Sequence, residues 1–269
     1  MRLGTSSPLY HTSPMDWAAN QVKLGCAAVV FPVQSNEPKE KIDAYKEAAE
    51  KAGLTIAEVG IWRNPFIDID YCVEQLKLAD YLNARCAVNV AGSFGLRWDG
   101  GYRENFTEEA WEKTVKTIQT IIDRADVKNT YFTIEPMPWM IPTGPREYLK
   151  LVEAVNRDRF AIHMDIINMI NSAERYFHPE DFIDECFYLL EERIRSCHIK
   201  DVHLSENYTL RLEECAPGNG EFPLKHYAER INETDQDMPV ILEHLSSDED
   251  YIKYMGYLKE ELNGLYKII

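Results

Sequence analysis

A closed parallel α/β barrel of eight strand–helix units is the fold class this sequence predicts, and three observations predict it. Short apolar runs alternate eight times with segments of helical spacing. The runs are apolar on both faces, as parallel strands covered on each side must be. The count also fits the length: eight such units occupy about 250 residues, and the chain has 269.

The elements follow in order. Residues 1–7 form the first strand, closed by Gly4-Thr5-Ser6-Ser7. Ser13-Pro14 opens a helix, because a proline in the first turn lacks only an N–H that would be unpaired anyway; that helix runs to about Gly25. Residues 26–31 (CAAVVF) are the second strand, and 38–52 a helix with Gly53 as its C-cap. The third strand is 55–61, followed by apolar residues at helical spacing over 71–82. Residues 86–90 (CAVNV) are the fourth strand, and a glycine-rich loop covers 91–102.

Thr107 caps a helix to about residue 124. The fifth strand is 131–135, and Pro145 opens a helix to about 155. The sixth strand is 160–165, and Pro179 opens a helix to about 192. The seventh strand is 195–200; a long loop holding Pro217-Gly218-Asn219-Gly220 then precedes a helix from about Pro223. The eighth strand is 239–243, and Ser246-Ser247-Asp248-Glu249 carries a capping-box pattern into the last helix. With no linker or low-complexity stretch, residues 1–269 read as one domain.

Composition narrows the function. At 45% hydrophobic residues the chain can bury a full core. No apolar run approaches the ~20 residues that cross a bilayer. The N-terminus has no apolar signal-peptide core, so a cytoplasmic protein is expected. The six cysteines include no C-x-x-C pair and read as reduced, buried small hydrophobes. A net charge of −16 without a basic stripe disfavours nucleic acid, anionic membranes and highly phosphorylated substrates. The oligomeric state is left open, a homo-oligomer included.

Four strand ends carry polar groups that could meet. Ile134-Glu135-Pro136, His163-Met164-Asp165, His198-Ile199-Lys200-Asp201 and Leu242-Glu243-His244 close the last four strands. In such barrels the active site lies at the C-terminal strand ends. Glu135, Asp165, His198 and Glu243 therefore suggest one metal site of three carboxylates and one imidazole.

Together with the opening Met1–Ser7 run, Asn168 and Pro217-Gly218-Asn219-Gly220, these motifs resemble the sugar phosphate isomerase/epimerase group, the xylose isomerase-like TIM barrels also called AP endonuclease family 2. The resemblance implies a single (β/α)8 TIM barrel, with Glu135, Asp165, His198 and Glu243 holding one divalent metal. It further implies that Glu135 and Glu243 move protons. One departure is Asn168, which stands where some relatives carry a second histidine.

The chemistry suits these groups. A proton beside a carbonyl is weakly acidic, and its removal needs a stabilised enediolate; a divalent cation does this as Lewis acid and template. Three carboxylates and one imidazole favour Mn²⁺ first, with Mg²⁺, Co²⁺, Fe²⁺ or Zn²⁺ admissible. Two carboxylates on opposite faces of a sugar allow epimerisation, while return to the neighbouring carbon gives isomerisation. The partner expected is a small sugar or keto-sugar. The alternatives are a lyase acting on a keto-sugar or keto-glycoside, and a non-catalytic sugar-binding or partner subunit.

The remaining candidates surround that site. Trp62, Trp98 and Trp139 follow strand ends and could wall a sugar pocket. Arg63 and Asn89 sit on the same rim and could bind hydroxyls, as could Asn168. Lys200 lies one step above His198 on its face of the strand and reads as a substrate contact or a rim ion pair. His163 reads as a partner behind the ligands. His244 should point away from the site, and Asp201 should cap a loop.

Overall fold

The computed structural model describes residues 1–267. In chain order its strands and helices are β1 (Arg2–Thr5), α1 (Pro14–Leu24), β2 (Ala28–Val30), α2 (Lys39–Lys51), β3 (Thr55–Gly60), α3 (Ile69–Tyr81), β4 (Cys86–Asn89), α4 (Glu108–Ala125), β5 (Tyr131–Ile134), α5 (Pro145–Val155), β6 (Phe160–Met164), α6 (Ile166–Met169), α7 (Ala173–Phe177), α8 (Pro179–Leu190), β7 (Ile194–Ile199), β8 (Asp201–Leu204), β9 (Leu212–Cys215), α9 (Leu224–Thr234), β10 (Pro239–Leu242) and α10 (Asp248–Glu261). Eight strands close a parallel barrel in the order β1-β10-β7-β6-β5-β4-β3-β2. This is a single (β/α)8 TIM barrel.

Local signals explain the boundaries. Ser13 accepts from the Asp16 amide, Pro14 starts α1, and Gly25 ends it at φ +97°, a left-handed geometry that glycine adopts without a Cβ penalty. Thr107 caps α4 through the Ala110 amide. Ser247, rather than Ser246, caps α10 by accepting from the Asp250 amide, so the start lies one residue later than the Ser246–Glu249 pattern implies. The main core, between barrel and helices, includes Trp17, Phe132, Phe160 and Phe187, all fully buried.

Two features depart from the sequence reading. The segment after β7 is not a plain loop: β8 and β9 pair antiparallel as a hairpin. The connection after β6 contains two short helices, α6 and α7, before α8. Both decorate the C-terminal mouth, where loops vary at little expense to the barrel. The cysteines are free, five of them buried, and burial pushes the Cys26, Cys72, Cys86 and Cys197 thiols up to about 12. They pack as hydrophobes, as expected. Among the described residues, no helix is long and apolar enough to cross a membrane.

Candidate metal centre

Consecutive strand ends build the site. Glu135 follows β5, Asp165 follows β6 and caps α6 through the Asn168 amide, His198 lies within β7, and Glu243 follows β10. In the barrel β10 pairs with β7, with Ile241 opposite His198. Glu243 thus rises beside the imidazole although 45 positions separate them in the chain; Nδ1 of His198 is 2.9 Å from Glu243 Oε2. The same nitrogen is 3.6 Å from Glu135 Oε1 and 3.7 Å from Asp165 Oδ2.

One donor atom from each of Glu135, Asp165, His198 and Glu243 lies within 4.8 Å of the others. Oxygen–metal bonds of about 2.0–2.6 Å span such a cage. All four residues are buried. His198 Nδ1 and Asp165 Oδ2 have no hydrogen-bond partner. Lys200 Nζ is 2.7 Å from that Oδ2, which is ion-pair contact without hydrogen-bond geometry. Buried polar atoms left this way are uncommon. Their convergence on one space, with three hard oxygens and one imidazole, fits a divalent cation.

Lys200 is the second charge of the floor. Its ammonium is 1% exposed, donates to Glu243 Oε1 at 2.6 Å and lies 3.1 Å from Glu214 Oε2. Behind His198 stands Glu58, in β3, with Oε2 3.3 Å from His198 Nε2 and Oε1 3.5 Å from His163 Nδ1. His163 Nδ1 is also 2.6 Å from Ser196 Oγ. Glu58 thus backs the imidazole, leaving Nδ1 aimed at the three carboxylates.

The charges of the floor act strongly on one another. Burial, then the nearby Glu243 charge, pushes Glu135 up to about 8. Burial would also raise Glu243, but His198 and Lys200 outweigh it and hold the group near 2. Burial likewise opposes the charge on Asp165, which Lys200 and His198 nevertheless hold well below the ordinary carboxylate range. His198 is raised well above its usual value: burial is overcome by Glu243 and Glu58. Burial and the His198 charge lower His163 to about 4, so it stays neutral. A divalent cation bound by these groups would favour their deprotonated forms, because metal binding of this kind releases protons.

Above the floor opens a cavity of about 630 Å³, into which Glu135 and Asn168 face. Asn168 Nδ2 donates to Glu135 Oε1 at 2.8 Å. Trp62, Trp98 and Trp139 all line this cavity. Three other sequence candidates do not, and one of them is Lys200, which spends its buried ammonium on the floor carboxylates instead of facing the cavity. Asn89 is fully buried; its amide donates to Cys72 Sγ and its oxygen accepts from the Arg63 backbone, so it faces α3. Arg63 is exposed, its guanidinium 5.1 Å from the Tyr71 ring centre. A strand-end position alone did not reveal which way these side chains turn.

His244 departs in the opposite sense. Its φ of +56° breaks strand alternation, so the ring lines the cavity, with Nδ1 2.9 Å from Glu214 Oε1. Asp201 caps the following loop by accepting from the amides of Val202, Gly218, Gly220 and Phe222. The sequence reading passed over Glu58 and Glu214. Glu58 did leave a signal, a lone carboxylate inside the apolar run 55–61.

A family model described as xylose isomerase-like TIM barrel (AP_endonuc_2) matches residues 18–261. No curated protein matches the sequence. Among solved structures, a D-tagatose 3-epimerase-like protein superposes with a TM-score of 0.73 at 17% identity, covering 98% of each chain. A xylose isomerase-like protein from Mycobacterium smegmatis in complex with magnesium gives 0.68 at 13% identity, covering 98% of this chain and 95% of that one. The E. coli 3-keto-D-glucoside 4-epimerase gives 0.68 at 12% identity, covering 97% and 99%. At these identities the likeness is one of fold.

Proposed function

Because the chain belongs to the xylose isomerase-like TIM-barrel family, we propose that it is a divalent-metal-dependent sugar isomerase or epimerase. The observation that carries this reading is the buried cage of Glu135, Asp165, His198 and Glu243, with donor atoms within 4.8 Å of one another. A D-tagatose 3-epimerase-like protein and a 3-keto-D-glucoside 4-epimerase among its structural neighbours support the same class. Glu135, Asp165, His198 and Glu243 are the proposed ligands, with Mn²⁺ as the first choice of ion. The cation would supply Lewis-acid stabilisation of charge developing on sugar oxygens.

The residues divide the remaining work. Glu135 is the only one of the four that faces the cavity, so it takes the proton-transfer role nearest the substrate. Asn168 orients it by donating to one of its oxygens. Glu243 takes the second proton-transfer role; Lys200 holds its Oε1 and leaves Oε2 toward His198. Positioned acid–base groups of this kind contribute typically ~10²–10⁴-fold. His163 and Glu58 support the floor without facing the cavity.

The test uses full-length protein, stripped of metal and reloaded with Mn²⁺, incubated in D₂O with ketoses, aldoses and keto-glycosides. The expected result is deuterium at one carbon of recovered sugar, with an epimer or isomer formed, only in the loaded sample. No carbon-bound exchange with any sugar would overturn the reading. Release of a leaving group without isomer would move the activity to the lyase class.

A further inference from the structure

The walls of the cavity differ in character from its floor, and that difference bears on what the site takes. At about 630 Å³ the cavity is far larger than a monosaccharide needs. Even at the ~30 Å³ that each water occupies in the liquid, the twelve heavy atoms of a hexose fill little more than half of it. The volume is of the size that holds a drug-like molecule.

The surplus space is apolar. Trp62, Trp98 and Trp139 come from the loops after β3, β4 and β5, Ile170 from the loop after α6, and Leu210 and Leu212 from the hairpin. The ring centroids of Trp62 and Trp98 lie 5.9 Å apart, with the ring planes tilted by 36°. Trp139 spends its indole N–H on the Trp98 carbonyl, which leaves carbon surface toward the cavity. Leu210 is 52% exposed, apolar surface at the mouth that is left uncovered.

Trp62 is held in place against backbone preference. Its φ is +45°, a left-handed conformation that is costly for a bulky residue. Gly60 makes room for it, since a Cβ there would fall 2.5 Å from Trp62 Nε1. Strain of this kind persists where a side chain must be presented in one direction.

Charge excludes another substrate class. Among the described residues no lysine or arginine lines the cavity, whereas Asp99, Glu135 and Glu214 do. Arg97 at the rim is paired with Asp99, and Lys200 is buried among three carboxylates. A phosphate or carboxylate would meet acidic side chains and no lysine or arginine free to pair with it.

We propose that the substrate is an uncharged keto-glycoside, its oxidised sugar ring over the carboxylate floor, where the keto group supplies the carbonyl that proton transfer needs, and an apolar, ring-sized aglycone against the tryptophans and the hairpin leucines. The proposal rests on the sugar-converting reading above and narrows its substrate. An aromatic aglycone there gains apolar burial and ring stacking that a free sugar cannot.

The test measures binding to Mn²⁺-loaded full-length protein by titration calorimetry. The probes are phenyl β-D-glucopyranoside and methyl β-D-glucopyranoside, which present the sugar ring and aglycone without the reacting keto group, together with D-glucose 6-phosphate and phenol. The phenyl glucoside is expected to bind at least ~10-fold tighter than the methyl glucoside, the return expected from burying several more carbons. Glucose 6-phosphate should bind weakest of the three sugars, and phenol alone weaker than its glucoside. Trp98→Ala should shrink the phenyl preference to within about threefold, as should Leu210→Ser at a half-exposed position where folding is not at stake. Equal affinity for the two glucosides, no binding of either, tightest binding of the phosphate, or phenol matching its glucoside would each overturn the proposal. The deuterium experiment is independent of these outcomes. Exchange into free ketoses with no phenyl preference sinks only this inference; a phenyl preference with no exchange into any sugar sinks only the activity.

Discussion

At the floor of the cavity every titratable group answers to several others, whereas along the wall the side chains answer mainly to solvent and to one another. Lys200 faces three carboxylates, and His198 faces four. Each of these groups is buried except Glu214, so removing one leaves its neighbours with uncompensated charge. The wall instead presents tryptophans and aliphatic side chains on loops, among them Leu210. The floor sits on or directly after barrel strands, and the wall sits on the connections. Rigid strands fix chemistry to within a fraction of an ångström, while loops can change what is recognised without disturbing it.

The largest effect should come from the floor. Lys200→Met leaves Asp165 and Glu243 buried without their ammonium partner, and loss of one member of a buried ion pair costs about 3–5 kcal/mol. Urea unfolding of the metal-free protein should show that loss, and added Mn²⁺ should restore part of it. A stability within about 1 kcal/mol of wild type would mean that the floor is no more tightly coupled than a surface pair.

Next is the carboxylate that faces both regions. Glu135→Gln should keep the fold, as read by circular dichroism, while proton transfer falls at least ~10²-fold. Full deuterium exchange by this variant would move the chemistry to another group. Behind the floor, Glu58→Gln should weaken Mn²⁺ binding by about 10–100-fold, the usual consequence of losing the partner that orients a metal-binding imidazole. Electron paramagnetic resonance of free Mn²⁺ reads that change directly; an unaltered dissociation constant would reduce Glu58 to a packing role.

The smallest effect belongs to the loop side. Leu96, in the loop after β4, is 91% exposed. Leu96→Ser should shift stability by no more than about 0.5 kcal/mol, and thermal unfolding monitored at one protein concentration checks it. A large shift would show that this loop is structurally tied to the barrel, and would erase the contrast.

Much of this was legible before any coordinates, for identifiable reasons. The barrel was readable because parallel strands covered on both faces leave apolar runs, punctuated here by caps such as Ser13, Thr107 and Gly25. The three carboxylates and one imidazole of the proposed metal site were readable because each sits at or near the end of such a run. Other placements were not. Asn89 and Arg63 occupy rim positions yet turn toward α3 and Tyr71, a matter of side-chain direction that position does not carry. His244 joined the cavity because its backbone leaves the extended region at φ +56°. The hairpin of β8 and β9 is short and half-exposed, too weakly patterned to announce itself.

The sequence by itself determined which elements form and which chemistry-bearing residues stand at their ends, because strand alternation, helical spacing and capping act over a few neighbouring residues. Only the tertiary structure decided which of those groups meet and what charge each carries. Glu58 reaches His198 across 140 positions, and Lys200 reaches Glu243 across 43. Their charge states follow from burial and from through-space Coulomb contact, and neither exists until the barrel closes.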